Sequence, residues 1–158
     1  MLYYTLRPSV ENISEFISTL EQYFNADRGS EWVVSAFEIL SNIVEHNFYG
    51  KKIPSLSIPQ LKRESKKHHK HKILIKLYTK TLVHHSCQPK KFAMRCCFTP
   101  ILPPIIPSKF SIQNKIKLQA YKPYFLQNGR GMHIIYRFCT LRLVKITSKK
   151  YCIALQGH

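Results

Sequence analysis

Three polar side chains that can do chemistry, Glu38, Asn42 and His46, follow one another at four-residue intervals. In an α-helix four residues complete one turn plus about 40°, so all three share one face. A carboxylate one turn from an amide provides a proton acceptor and a neutral oxygen ligand for a hydrated Mg²⁺ that carries substrate phosphates. The competing interpretation is that Glu38 and Asn42 only solvate one side of an amphipathic helix. For His46 we favour packing or capping near the helix end over ligation, and we assign it no catalytic role.

A second group, Gly129-Arg130-Gly131, has the residue types of a phosphate-binding turn. Its glycines leave backbone N–H groups open to an anion because no Cβ stands in the way, and a helix that follows would direct its N-terminus to the same place. Arg130 adds a positive charge that can bind phosphate oxygens. A Gly-x-Gly pattern alone indicates a turn more often than a site, so this group counts only together with Glu38 and Asn42.

The helix that carries Glu38 and Asn42 is predicted to be the third element of the chain. The short run Tyr3–Leu6, stopped by Pro8, predicts an opening β-strand. Ser9 and Ser30 are the expected N-caps of two helices, the second of which ends near Gly50. Apolar residues recur at spacings of three and four along both helices: Val10, Ile13, Phe16, Ile17, Leu20, Tyr23 and Phe24 in the first, and Trp32, Val33, Ala36, Ile39, Leu40, Ile43 and Val44 in the second.

The rest of the chain has weaker patterns. Strands are predicted at Ile73–Tyr78 and near Thr81–His84, and a third helix is predicted to open at the Gly129-Arg130-Gly131 turn. No regular element is predicted over the proline-punctuated stretch Pro89–Pro107. Val144–Thr147 and Tyr151–Leu155 indicate a terminal hairpin.

Length and charge restrict the class of protein. A chain of 158 residues and 18.6 kDa predicts one domain over residues 1–158. The formal net charge is +17, yet residues 1–50 hold seven acidic and only two basic side chains, and no carboxylate side chain follows Glu64. The last part of the chain therefore cannot supply a carboxylate pair, a two-metal carboxylate site or a Ser-His-Asp triad.

The compartment is predicted from what the sequence lacks. There is no basic start followed by a long apolar stretch, and no apolar run approaches the roughly 18 residues that span a bilayer, so we expect a cytoplasmic protein with no membrane contact. Five cysteines without a Cys-x-x-Cys pattern favour free thiols in a reducing compartment.

Residues Phe37–Gly50 resemble the N-box (Glu-x-x-x-Asn-x-x-x-His) of the GHKL ATPase superfamily, in the form carried by bacterial anti-sigma-factor serine kinases. The opening strand and the two helices resemble the start of that family, and Gly129–Ile135 resembles its phosphate-binding glycine box. The resemblance covers residues 1–50 and roughly 128–155, whereas residues 51–128 match poorly.

The resemblance implies an α/β two-layer sandwich of the Bergerat type, with a mixed sheet and helices on one face. It implies Glu38 as the catalytic base, Asn42 as the Mg²⁺ ligand, and Gly129, Arg130 and Gly131 as residues that bind the phosphates of ATP. The expected function is an ATP-dependent regulator that binds a sigma factor and phosphorylates a serine on the antagonist of that factor, as a homodimer.

One feature of the family has no counterpart here. The family reads the adenine amino group with an Asp-x-Gly box between the two motifs, whereas this chain has no Asp after Asp27, and His85 and Cys87 stand near the corresponding positions. Loss of a buried acceptor that reads a base costs several powers of ten in discrimination. One alternative is therefore a catalytically inactive binding module of the same fold. Another is that part of the middle is translated from a shifted reading frame, which an Asp-x-Gly box in another frame of the DNA would reveal.

Two further classes compete with the nucleotide site. The basic run Lys62–Lys72 and nearby aromatic residues are typical of a nucleic-acid-binding protein without enzymatic activity, although such runs are usually solvated surface. Zinc is disfavoured because its candidate ligands fit no standard finger spacing: His84, His85, Cys87, Cys96 and Cys97.

Overall fold

The computed structural model describes residues 1–24, 31–80, 91–102, 116–117, 139–145 and 149–157. Over these residues six strands form one sheet in the order β1-β2-β3-β6-β5-β4. The strands are β1 (Leu2–Leu6), β2 (Ile73–Lys80), β3 (Lys91–Phe98), β4 (Ile116–Lys117), β5 (Cys139–Lys145) and β6 (Tyr151–Gly157). The helices are α1 (Val10–Phe24), α2 (Glu31–Val44) and α3 (Ile58–Lys67), with a π-helical turn at Glu45–Tyr49 and a short 3-10 turn at Ile53–Ser55.

The hydrophobic core lies between α1, α2 and one face of the sheet, which we call the inner face. Successive strand residues point to opposite faces, and in β2 and β3 every second side chain is buried while its neighbours are not. The helices bury the predicted stripes in the same layer, which makes the fold a two-layer α/β arrangement. Core residues include Ile13, Phe16, Leu20, Ala36, Leu40 and Ile43 from the helices and Ile73, Ile75, Leu77, Met94, Cys96 and Phe98 from the sheet.

Local sequence signals are confirmed at the start of the chain. Helix α1 begins after Ser9, whose Oγ accepts the backbone N–H of Asn12 at 3.2 Å, as expected of an N-cap. Strand β1 contributes Tyr4 to the inner face, where its ring packs against Phe16 of α1 with centroids 4.8 Å apart. The first strand, both helices, strand β2 and the last strand stand where the sequence predicts them, within a few residues. The other hairpin strand begins at Cys139, five residues before the predicted Val144, and the predicted cap Ser30 lies outside the described residues.

Strand β3 corrects the expectation from the sequence, which predicts no regular element over Pro89–Pro107. Lys91–Phe98 pairs antiparallel with β2 on one side and β6 on the other. Met94, Cys96 and Phe98 point into the core. Pro100 lies beyond the strand and so removes no ladder hydrogen bond from it.

The direction of the strands also differs from expectation. Each described pairing is antiparallel, so over the described residues the sheet is not the mixed sheet that the resemblance implies. Alternation in a sequence specifies which face a strand buries but not the direction of its neighbour. The strand predicted near Thr81–His84 and the helix predicted after Gly131 lie outside the described residues. Among the described helices, none is long and apolar enough to cross a membrane.

Candidate functional site

Helix α2 places Glu38 and Asn42 one turn apart at the border of the core. Both side chains are half-buried, while Leu40 and Ile43 on the same helix are fully buried and anchor it to the sheet. Burial raises the pKa of the Glu38 carboxyl, and the negative charge of Glu45 raises it further. A carboxylate with a raised pKa is a stronger proton acceptor, which suits a general base.

After Val44 the helix widens into the π-helical turn Glu45–Tyr49. The Gly50 N–H donates to the Glu45 carbonyl at 2.8 Å, and Gly50 has φ of 68°, a left-handed conformation that suits glycine. The Glu45 carboxylate accepts the backbone N–H of Ile53 at 2.8 Å, which fixes the chain that leaves the turn. Turns of this kind occur frequently at functional sites.

Asn47 joins the π-helical turn to the segment that follows β3. Its Nδ2 donates to the Ile43 carbonyl at 3.0 Å. Its own carbonyl accepts the N–H groups of Ile101 and Leu102 at 3.0 and 3.2 Å. The end of the candidate helix is therefore held by a contact with a distant part of the chain.

His46 belongs to this π-helical turn and not to α2. The common face predicted for three residues therefore applies to Glu38 and Asn42 within α2, while His46 lies in a turn of different helical period. Burial lowers the pKa of His46, with Lys52 lowering it further and Glu45 opposing both. The imidazole is neutral at pH 7, and no catalytic role is assigned to it.

A second cluster, which the sequence analysis missed, surrounds His68. This residue lies in the basic run yet is only 2% exposed. Its ring stacks on Tyr49 with centroids 5.7 Å apart, and its Nε2 lies 3.1 Å from a carboxylate oxygen of Glu64. Its Nδ1 has no hydrogen-bond partner among the described residues. The spacing of Glu64 and His68, one turn apart at a helix end, is the signal that could have revealed the pair.

The Tyr49 hydroxyl connects three elements. It donates to the Pro8 carbonyl at 3.1 Å and lies 3.5 Å from Ser65 Oγ. The Ser65 hydroxyl in turn donates to the Glu11 carboxylate at 3.2 Å. The start of α1, the π-helical turn and α3 are therefore tied together beside the helix that carries Glu38 and Asn42.

The structure describes only one of the two predicted motifs. Glu38 and Asn42 are placed as expected, whereas Gly129, Arg130 and Gly131 lie outside the described residues, as do His85 and Cys87.

Two of the candidate zinc ligands named from the sequence, Cys96 and Cys97, lie on opposite faces of the sheet. Cys96 and Cys97 are neighbours on β3 and point to opposite faces, with Cys96 in the core. Within the described part of the chain, no group of three or more His, Cys, Asp or Glu residues is arranged to hold a metal ion.

Comparison of the chain with protein-family models, curated proteins and solved structures gives no significant match.

Proposed function

We propose that the chain is an ATP-binding regulatory protein of the GHKL type, in which helix α2 supplies the Mg²⁺–nucleotide site. The observation that carries the proposal is the pair Glu38 and Asn42, one turn apart and half-buried on a helix that packs against the sheet. The raised pKa of Glu38 supports its role as the base. The order of one strand followed by two helices that pack on one face of a sheet supports a Bergerat-type sandwich, although the described strand pairings are all antiparallel.

The donor chemistry of this pair fits the expected metal. Mg²⁺ binds oxygen ligands and normally keeps several waters, so one or two protein oxygens together with substrate phosphates complete its shell. Asn42 would supply an amide oxygen. The bound ion would neutralise charge on the phosphates of ATP. Gly129, Arg130 and Gly131 are proposed to bind the same phosphates through backbone N–H groups and one guanidinium.

Glu38 is the proposed general base. Its carboxylate accepts the proton of the attacking hydroxyl, a serine side chain in the kinase reaction or water in slow hydrolysis. Partial burial weakens solvation of the charged carboxylate, which makes it more basic than a surface glutamate. By the family resemblance, the hydroxyl belongs to the antagonist of a sigma factor, and the chain acts as a homodimer.

Substitution of Glu38 tests the catalytic part of the proposal. We expect Glu38→Gln to retain ATP binding and to lower phosphate release from ATP by roughly 10²- to 10⁴-fold, the usual contribution of a general base. Glu15→Gln is the matched control, because Glu15 is an exposed carboxylate on the neighbouring helix α1. Release of phosphate at equal rates by the wild type and Glu38→Gln would exclude Glu38 as the base.

A further inference from the structure

The sheet has a second face, turned away from α1 and α2, which we call the outer face. Its side chains alternate with those of the core along β1, β2 and β3. Tyr3 is 67% exposed and Leu74 is 46% exposed, and Arg95 is also exposed. Such large exposed side chains on one face of a sheet are typical of an interaction site.

The strand register aligns basic residues across this outer face. Residues directly opposite one another in an antiparallel pair lie on the same face. With strands about 4.8 Å apart, a line from β2 to β4 crosses four spacings and runs about 19 Å. We use the name basic row for the four cations on this line: Lys76, Arg95, Arg142 and Lys117. In order from β1, the opposed residues are Tyr3, Lys76, Arg95, Ala154, Arg142 and Lys117.

No acidic residue interrupts the basic row. None of the six strands contains Asp or Glu, because every carboxylate side chain of the chain lies at or before Glu64 and β1 has none. A second opposed pair, Lys80 and Lys91, lies on the same face by register. The acids of the described residues lie in the helical segments, and α3 carries cations as well, so the described strands hold cations without acids. This arrangement directs a positive field outward from the outer face.

Aromatic rings accompany the cations. The Lys76 ammonium lies 5.1 Å from the centre of the Tyr3 ring and 5.0 Å from the centre of the Tyr78 ring. The Arg95 guanidinium lies 5.7 Å from the Tyr78 ring centre. Hydrogen bonding to Tyr3 and Tyr78 raises the pKa of Lys76 above its ordinary value. Cations that contact aromatic faces are held in place beside them.

We propose that the outer face binds single-stranded nucleic acid, with phosphates along the basic row and unpaired bases stacked on Tyr3 and Tyr78. Positive grooves with aromatic platforms bind single strands without strong sequence preference, because every base has a face that can stack. In a duplex the base faces are buried, so the aromatic part of this surface has no role there. The site is separate from the proposed nucleotide site, since α2 lies on the inner face.

The proposed nucleic-acid site lies in a different part of the chain from the basic run that the sequence alone suggests. The run Lys62–Lys72 is the most basic stretch of the chain, but it lies on α3 and the turn that follows, where Leu61 and His68 pack toward the core. The basic row comes from residues spread along the chain from β2 to β5, which only the sheet register brings together.

Fluorescence anisotropy of labelled 12-nucleotide oligonucleotides tests the proposal. The probes are oligo(U) RNA, oligo(dT) DNA and a duplex of equal length, titrated with the full chain between 50 and 200 mM salt. The variant Lys76→Ala/Arg95→Ala removes two cations from the basic row. Its matched control, Lys66→Ala/Lys67→Ala, removes two exposed cations from α3.

We expect single strands to bind more tightly than the duplex. Removal of Lys76 and Arg95 should reduce the slope of log affinity against log salt by about 1.4, at about 0.7 per phosphate contact, while the α3 control leaves it nearly unchanged. The two single-stranded probes distinguish RNA from DNA as the preferred strand.

Tyr3→Leu separates stacking from charge. It keeps the net charge, and we expect it to weaken single-strand binding roughly tenfold, within the range for loss of one stacked base. The proposal would be overturned if Lys76→Ala/Arg95→Ala and Lys66→Ala/Lys67→Ala lost equal affinity for single strands. It would also be overturned if the duplex bound as tightly as single strands and Tyr3→Leu had no effect. Polyglutamate that competes as well as oligo(U) would overturn it too, because an acidic protein would then be the better partner. Urea unfolding of each variant confirms that it is folded.

Discussion

Acidification below pH 6.5 is expected to destabilise the protein through His68. Burial lowers the pKa of its imidazole below the ordinary 6.5, and the positive charges of Lys67 and His71 lower it further, while the hydrogen bond to Glu64 opposes the shift. The ring is 2% exposed and stacked on Tyr49, so a charged imidazole would lose its water; Glu64 would face its Nε2, but its Nδ1–H would have no acceptor among the described residues.

The sign and size of the effect follow from proton linkage. Above pH 6.5 His68 is neutral in both states and the stability is complete. Between 6.5 and the lower folded-state pKa, only the unfolded chain takes up the proton, so stability falls as pH falls. The slope for one such group is at most about 1.4 kcal/mol per pH unit. Between pH 6.5 and 5.5 the loss from His68 is therefore at most about 1.4 kcal/mol.

Urea unfolding at pH 7.5 and pH 5.5 measures this loss. His68→Gln removes the titrating group, and we expect it to flatten the pH dependence relative to the wild type. His69→Gln is the control, because His69 is an exposed neighbour in the same turn, and this variant should retain the full dependence. A residual slope is expected in every variant because burial also lowers the pKa of His46. An unchanged pH dependence in His68→Gln would show that His68 does not cause the loss of stability at low pH.

Two further predictions concern the backbone and the thiols. Gly50→Ala should lower the free energy of unfolding by about 1–2 kcal/mol, since φ of 68° is left-handed and an added Cβ would lie 3.2 Å from Leu102 Cδ1. Gly50→Asn should lose less stability. Equal stability of Gly50→Ala and the wild type in urea unfolding would contradict this prediction. Burial and the hydrogen bond from Cys97, at 2.8 Å between sulfurs, raise the pKa of Cys152 to about 12. Iodoacetamide at pH 8 should therefore alkylate Cys152 far more slowly than a model peptide thiol. Equal rates of alkylation, followed by mass spectrometry, would contradict this prediction.

The parts of the fold that the sequence predicts are those fixed by local periodicity. The stripes of α1 and α2 repeat at helical spacing, and Ser9 caps its helix with the expected bond, so neither depends on distant residues. Glu38 and Asn42 share a face for the same reason. Strand β3 has no such signal, because Lys91 and Arg95 interrupt its apolar residues and prolines flank it. Its pairing with β2 and β6 stabilises it, and β6 is distant in sequence.

The parts that the sequence does not predict depend on long-range contacts. The π-helical turn is held by Asn47, whose carbonyl binds N–H groups of Ile101 and Leu102. His68 is buried although its neighbours are lysines and histidines, because the rings of Phe48 and Tyr49 pack against it. The basic row exists only in the sheet register, and a shift of one residue in any strand would move its cation to the other face.

A calorimetric titration of the chain with ATP, with and without Mg²⁺, tests whether helix α2 supplies a nucleotide site. Salt is kept high enough to suppress non-specific anion binding to a chain of net charge +17. The comparison uses Asn42→Ala and the control Asn12→Ala, a half-buried asparagine of α1, with urea unfolding to establish that each variant is folded. We expect Mg²⁺-dependent binding that Asn42→Ala abolishes and Asn12→Ala retains. No binding by the folded wild type, or binding that Asn42→Ala leaves unchanged, would contradict it.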